Sequence, residues 1–61
     1  MDNSFLYTKT LLLVDDEPDL LKMLSDILND AGFQKILTAT TGKEAVAEAK
    51  KGKPDLIILD V

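Results

Sequence analysis

An α/β fold built on a buried parallel sheet is what this 61-residue sequence predicts, and three observations predict it. Two runs, Leu11-Leu12-Leu13-Val14 and Leu56-Ile57-Ile58-Leu59, are apolar at every position. Such runs suit strands covered on both faces, as parallel strands are. Each run stops abruptly at an acid, Asp15 in the first case and Asp60 in the second. Between them lie two segments with helical spacing and helix boundaries, separated by a shorter and more polar run.

The elements follow in order. Residues 1–8 read as a leader, partly ordered through Phe5, Leu6 and Tyr7, and residues 9–61 as the domain itself. The first strand covers residues 11–14. The helix after it opens at Pro18, where a missing N–H does no harm, with Asp16, Glu17 and Asp19 suited to the positive end of its dipole. Leu20, Leu24, Ile27, Leu28 and Ala31 then fall on one helical face, and Gly32 is a natural stop. Residues 35–39 form a short second strand with a weaker alternating pattern, as expected near a sheet edge. Thr41-Gly42-Lys43-Glu44 is a capping box opening the second helix, whose small apolar face is Ala45, Val46 and Ala49. Lys50 and Lys51 suit its negative end and Gly52 ends it. Pro54-Asp55 punctuates the loop into the third strand, residues 56–59.

This gives strand–helix–strand–helix–strand, two right-handed parallel crossovers in succession. The two most apolar strands, first and third, are expected to be neighbours with the second at the edge. The order is then 2-1-3, that of a flavodoxin-like doubly wound sheet, with the two helices on opposite faces. Ligands bind such sheets beyond the carboxyl ends of the strands, where the winding reverses. Asp15, Asp16 and Asp60 are all expected there.

Composition narrows the chemistry. With no cysteine and no histidine, disulfides, zinc sites and Cys–His catalysis are excluded. A net charge of −4 argues against a nucleic-acid phosphate binder, and Lys50, Lys51 and Lys53 are explained by a solvated helix end. No apolar run approaches the roughly 20 residues of a membrane span, and residues 1–8 lack the basic and apolar regions of a secretion signal. The chain reads as cytosolic. Three acids converging at one sheet edge would repel one another, and a hard divalent cation such as Mg²⁺, bound by carboxylate oxygens, relieves that repulsion. A plainer reading is that Asp16 or Glu17 only caps the next helix.

The run Leu11-Leu12-Leu13-Val14-Asp15-Asp16-Glu17-Pro18 resembles the opening of response-regulator receiver domains. Lys53-Pro54-Asp55-Leu56-Ile57-Ile58-Leu59-Asp60-Val61 resembles their phosphoacceptor strand, and Thr41-Gly42-Lys43-Glu44-Ala45 the start of their second helix. The resemblance spans residues 9–61. It implies that Asp15 and Asp16 hold Mg²⁺, and that Asp60 is both metal ligand and phosphoacceptor, receiving its phosphoryl group from a histidine kinase or phosphotransfer protein. It implies a phosphoacceptor and not an enzyme with turnover of its own. A haloacid-dehalogenase-like phosphatase carries acid, spacer, acid after its first strand, and the adjacent Asp15-Asp16 departs from that.

The family fold is about twice this length, so the chain is read as its N-terminal half. Its third strand would then offer a bare apolar edge at residues 56–59, and a homodimer joined through that strand is expected. The alternative for the chain as it stands is a truncated or engineered half-domain that self-associates without phosphotransfer.

Overall fold

The structure is a computed structural model and describes residues 4–59. A 3₁₀ turn at Ser4–Thr8 leads into β1 (Thr10–Val14), α1 (Pro18–Ala31), β2 (Lys35–Ala39), α2 (Gly42–Gly52) and β3 (Leu56–Leu59). The three strands are parallel in the order β2-β1-β3. This is the flavodoxin-like arrangement expected from the apolar runs.

β1 is central because its side chains have cover on both faces. Leu11, Leu12 and Leu13 are all buried, and Leu12 is completely so. Register partners share a face, so Leu11, Leu13, Leu56 and Ile58 line one side of the sheet and Leu12, Leu37 and Ile57 the other. The first side adjoins Leu28 of α1 across a groove. On the second side, Leu37 lies directly against Gly52 of α2. The two helices therefore pack on opposite faces, as the winding reversal requires.

α1 begins with Pro18 at its first position and ends at Gly32. Gly32 has φ 122°, a conformation that strongly favours glycine. Its N–H donates to the Asn29 carbonyl and the Phe33 N–H to the Leu28 carbonyl, the paired bonds of a Schellman stop. Tyr7 lies over Gly32, where a Cβ would come within 3.2 Å of the ring, and it packs edge-on against Phe33 with centroids 5.2 Å apart. The segment expected as a leader thus has Tyr7 anchored on the end of α1.

Three expectations need correction. Of the face expected for α1, Ile27 (56% exposed) and Ala31 are exposed: the covered stripe runs through Leu20, Leu21, Leu24, Ser25 and Leu28, and Ile27 lies about 100° round the helix from Leu28. Val46 is likewise exposed: the half-buried positions of α2 are Ala45, Glu48 and Ala49. α2 does end at Gly52, as expected, but the left-handed cap conformation falls on Lys53, φ 47°, not on the glycine. Gly52 serves packing instead, since a Cβ there would collide with Leu37.

The capping box at α2 also differs in one arm. Thr41 Oγ1 accepts from the Glu44 N–H at 3.1 Å, as expected. The Glu44 carboxylate, however, accepts from both the N–H (2.7 Å) and the hydroxyl (2.6 Å) of Thr40, one residue earlier than in the standard box. The Thr40 hydroxyl and then its N–H hold the Glu44 carboxyl below its usual value of 4.5. A carboxyl lowered by folding adds stability above its unfolded value and loses it as pH falls through its folded value. Thermal melts below pH 4.5 are therefore expected to bring the wild type and Glu44→Gln closer together, with the wild type the more stable at pH 7. Parallel pH profiles for the two would contradict this.

Candidate functional site

The site is built at the carboxyl edge of the sheet. The β1–β2 ladder continues one step past β1, where the Asp15 N–H donates to the Ala39 carbonyl at 3.1 Å. That bond fixes the backbone of Asp15 and turns its side chain inward, so the residue is only 4% exposed. One carboxylate oxygen, Oδ1, accepts from the Glu17 N–H at 2.9 Å. Asp15 thereby ties the strand to the start of α1, while the Glu17 carbonyl accepts from the Leu21 N–H.

The plainer reading of the acids as helix caps fails for the residues it named. Glu17 occupies the N-cap position, yet its side chain makes no capping bond. Asp16 is exposed and points no hydrogen bond at the helix start among those described. Adjacent acids have thus been given different surroundings: Asp15 enclosed and hydrogen-bonded, Asp16 open to water. A buried carboxylate beside an exposed one offers hard oxygen donors from a rigid strand end, the donor type Mg²⁺ takes.

β3 ends at the same edge. Leu56 to Leu59 pair with Leu11 to Val14 in unbroken register, so Leu59 lies beside Val14. Asp60 follows Leu59 in sequence and lies outside the described residues. Among the described residues no group of three acids, histidines or cysteines stands ready to hold a metal ion.

Sequence reasoning missed one positioning residue. Asp55, expected only as loop punctuation, clasps β3 to β1 at the opposite edge. Its N–H donates to the Thr10 carbonyl at 2.8 Å, and its carboxylate accepts from the Thr10 N–H at 2.8 Å. The two bonds set the starting register of β3, and hence where its far end falls. The only advance signal was an acid immediately before an apolar strand.

Comparison with known proteins agrees with this geometry. The family model described as "Response regulator receiver domain" matches residues 11–61. The chain is 42% identical over 53 residues to the Chemotaxis protein CheY of Thermotoga maritima, covering 87% of this chain and 44% of that protein. It is 43% identical over 53 residues to the Alkaline phosphatase synthesis transcriptional regulatory protein PhoP of Bacillus subtilis, covering 87% and 22%. With a Protein-glutamate methylesterase/protein-glutamine glutaminase of Archaeoglobus fulgidus it shares 46% over 50 residues, covering 82% and 14%. The chain spans less than half the length of each of these relatives. No solved structure matches it. No helix among the described residues is long and apolar enough to cross a membrane. On that family match, the chain belongs to the response regulator receiver domain family.

Proposed function

We propose that the chain is the phosphoryl-accepting part of a two-component response regulator, with Asp60 as the residue modified. The supporting observation is the register of β1 and β3, which sets the strand leading to Asp60 level with the strand leading to Asp15 and Asp16. A carboxylate oxygen of Asp60 attacks the phosphorus of a phosphohistidine on a histidine kinase or phosphotransfer protein. The new P–O bond forms as the P–N bond breaks, and the departing imidazole takes up a proton. Water later hydrolyses the acyl phosphate. A histidine supplied by the partner is consistent with the given sequence, which contains none.

Asp15, Asp16 and Asp60 would hold Mg²⁺, which when bound offsets the negative charge that a phosphoryl group brings to an acidic site. Asp15 contributes through a fixed position: its backbone is pinned to Ala39 and its Oδ1 to Glu17, so the carboxylate reorganises little. Asp16, exposed beside it, stays open to solvent and to an incoming donor. A cytoplasmic location goes with this reading, because the phosphodonor proteins act there. The reading is tested by incubating the chain with Mg²⁺ and phosphoramidate, a P–N donor, and following phosphorus by NMR. An acyl phosphate signal lost on adding a chelator is expected; labelling indifferent to the chelator would contradict it.

Self-association belongs to the same reading. β3 is an edge strand of the described sheet and all four of its apolar residues are exposed. An exposed apolar edge is a template for another strand. The 61-residue chain is therefore expected to dimerise through Leu56–Leu59, and light scattering that stays monomeric up to high concentration would contradict this.

A further inference from the structure

We infer that Glu44 is a positioning residue for Asp15, acting through the peptide group between Ala39 and Thr40. This deepens the proposed function, and it rests on that reading where Asp15 is taken as a metal ligand. The two ends of that one peptide have different partners. Its carbonyl, on the buried Ala39, accepts from the Asp15 N–H at 3.1 Å. Its N–H, on Thr40, donates to Glu44 Oε1 at 2.7 Å. The Thr40 hydroxyl donates to the same oxygen at 2.6 Å. An unbroken run of hydrogen bonds thus joins the first turn of α2 to the backbone of Asp15.

This run supports Asp15 where the sheet itself does not. Ala39 is the last residue of β2, and its bond to Asp15 lies one step past the last register pair, Val14 with Ala39. Strand ends fray unless something beyond the sheet holds them. Glu44 can hold this one because α2 fixes its backbone: the Glu44 N–H donates to Thr41 Oγ1 at 3.1 Å, and the Ala45 N–H to the Thr41 carbonyl at 2.9 Å. Its bond to Thr40 is short and charge-assisted, which is the stronger class of hydrogen bond. Hydrogen bonds in series also polarise one another, so a carboxylate on the peptide N–H makes the Ala39 carbonyl a better acceptor. Asp15 is therefore gripped twice, at its backbone through Ala39 and at its side chain by the Glu17 N–H. A purely capping role for Glu44 would end at α2 and leave Asp15 indifferent to it.

Amide NMR on the 61-residue chain decides between the two roles. In Glu44→Ala the Asp15 amide proton should move upfield as its bond lengthens. Its exchange with solvent should quicken about threefold to tenfold beyond any change at Leu12, the worth of one hydrogen bond. Glu44→Gln keeps an oxygen for the Thr40 donors and should recover much of both effects. Thr41→Val removes the acceptor of the Glu44 N–H, weakening the start of α2 without removing the Thr40 bonds, and should leave the Asp15 amide near its wild-type position. An Asp15 amide unmoved in Glu44→Ala, or moved as far in Thr41→Val, would overturn the inference. Mg²⁺ titrated into the same samples should shift the Asp15 and Asp16 amides, with half-saturation several-fold higher in Glu44→Ala and largely restored in Glu44→Gln. Because the glutamine lacks the charge as the alanine does, that restoration separates positioning from loss of charge; equal weakening in both would overturn the positioning role. Wild-type amides indifferent to Mg²⁺ would instead count against the metal reading, with the Asp15 amide still deciding whether Glu44 holds it.

Discussion

Replacing Leu12 by alanine is expected to leave the chain largely unfolded at room temperature. Leu12 is fully buried at the middle of the central strand, in register with Leu37 on one side and Ile57 on the other. Truncating a leucine in such a position costs about 2–5 kcal/mol, because the cavity left behind cannot close when three strands meet there. A domain of this size has roughly 3–9 kcal/mol in all, so the loss takes most or all of it. Urea unfolding followed by circular dichroism measures the effect. Ile27→Ala is the control: it shortens an exposed side chain on α1 and should cost markedly less. Equal losses for the two would mean that β1 is not the buried centre of the sheet.

Asp15→Asn is expected to keep the fold and lose the chemistry. Asparagine retains an oxygen at Oδ1 to accept from the Glu17 N–H, so the turn from β1 into α1 persists. It removes the negative charge that draws in a hard cation, and Mg²⁺-dependent labelling should fall by at least about tenfold. Asp15→Ala instead leaves the Glu17 N–H without that acceptor at the start of α1, and should cost about 1–2 kcal/mol of stability as well. Melting temperature and a Mg²⁺ titration of labelling, run on both variants, separate the two roles. Wild-type labelling in Asp15→Asn would remove this residue from the site.

The strands were legible because a parallel sheet demands apolar residues on both faces, a demand that β1 and β3 meet at every position. The ends of α1 were legible because Pro18 and Gly32 are each suited to one backbone geometry. What stayed hidden depends on partners distant in sequence. Gly52 carries the same helix-stop signal as Gly32, yet Leu37, fifteen positions earlier, claims the space its Cβ would fill, and Lys53 takes the left-handed cap. Ile27 and Val46 fit an apolar helical stripe, but each helix lies over β1 and β2, and those side chains fall outside the covered arc. In β3 apolarity signals burial that the described sheet does not provide. At the site, the two acids after β1 were visible as residue types, whereas their division into an enclosed Asp15 and an open Asp16 arises from the Ala39 and Glu17 contacts. Asp55 gave almost no signal, since its role is a clasp to a residue 45 positions away.

The measurement that tests the central claim most directly is intact-mass analysis after incubation with Mg²⁺ and acetyl phosphate, with Asp60→Asn alongside. A single phosphoryl adduct on the wild type, absent from Asp60→Asn, is the predicted result. An adduct that persists in Asp60→Asn, or a folded wild type that acquires none, would contradict the assignment of Asp60 as the phosphoacceptor of this chain.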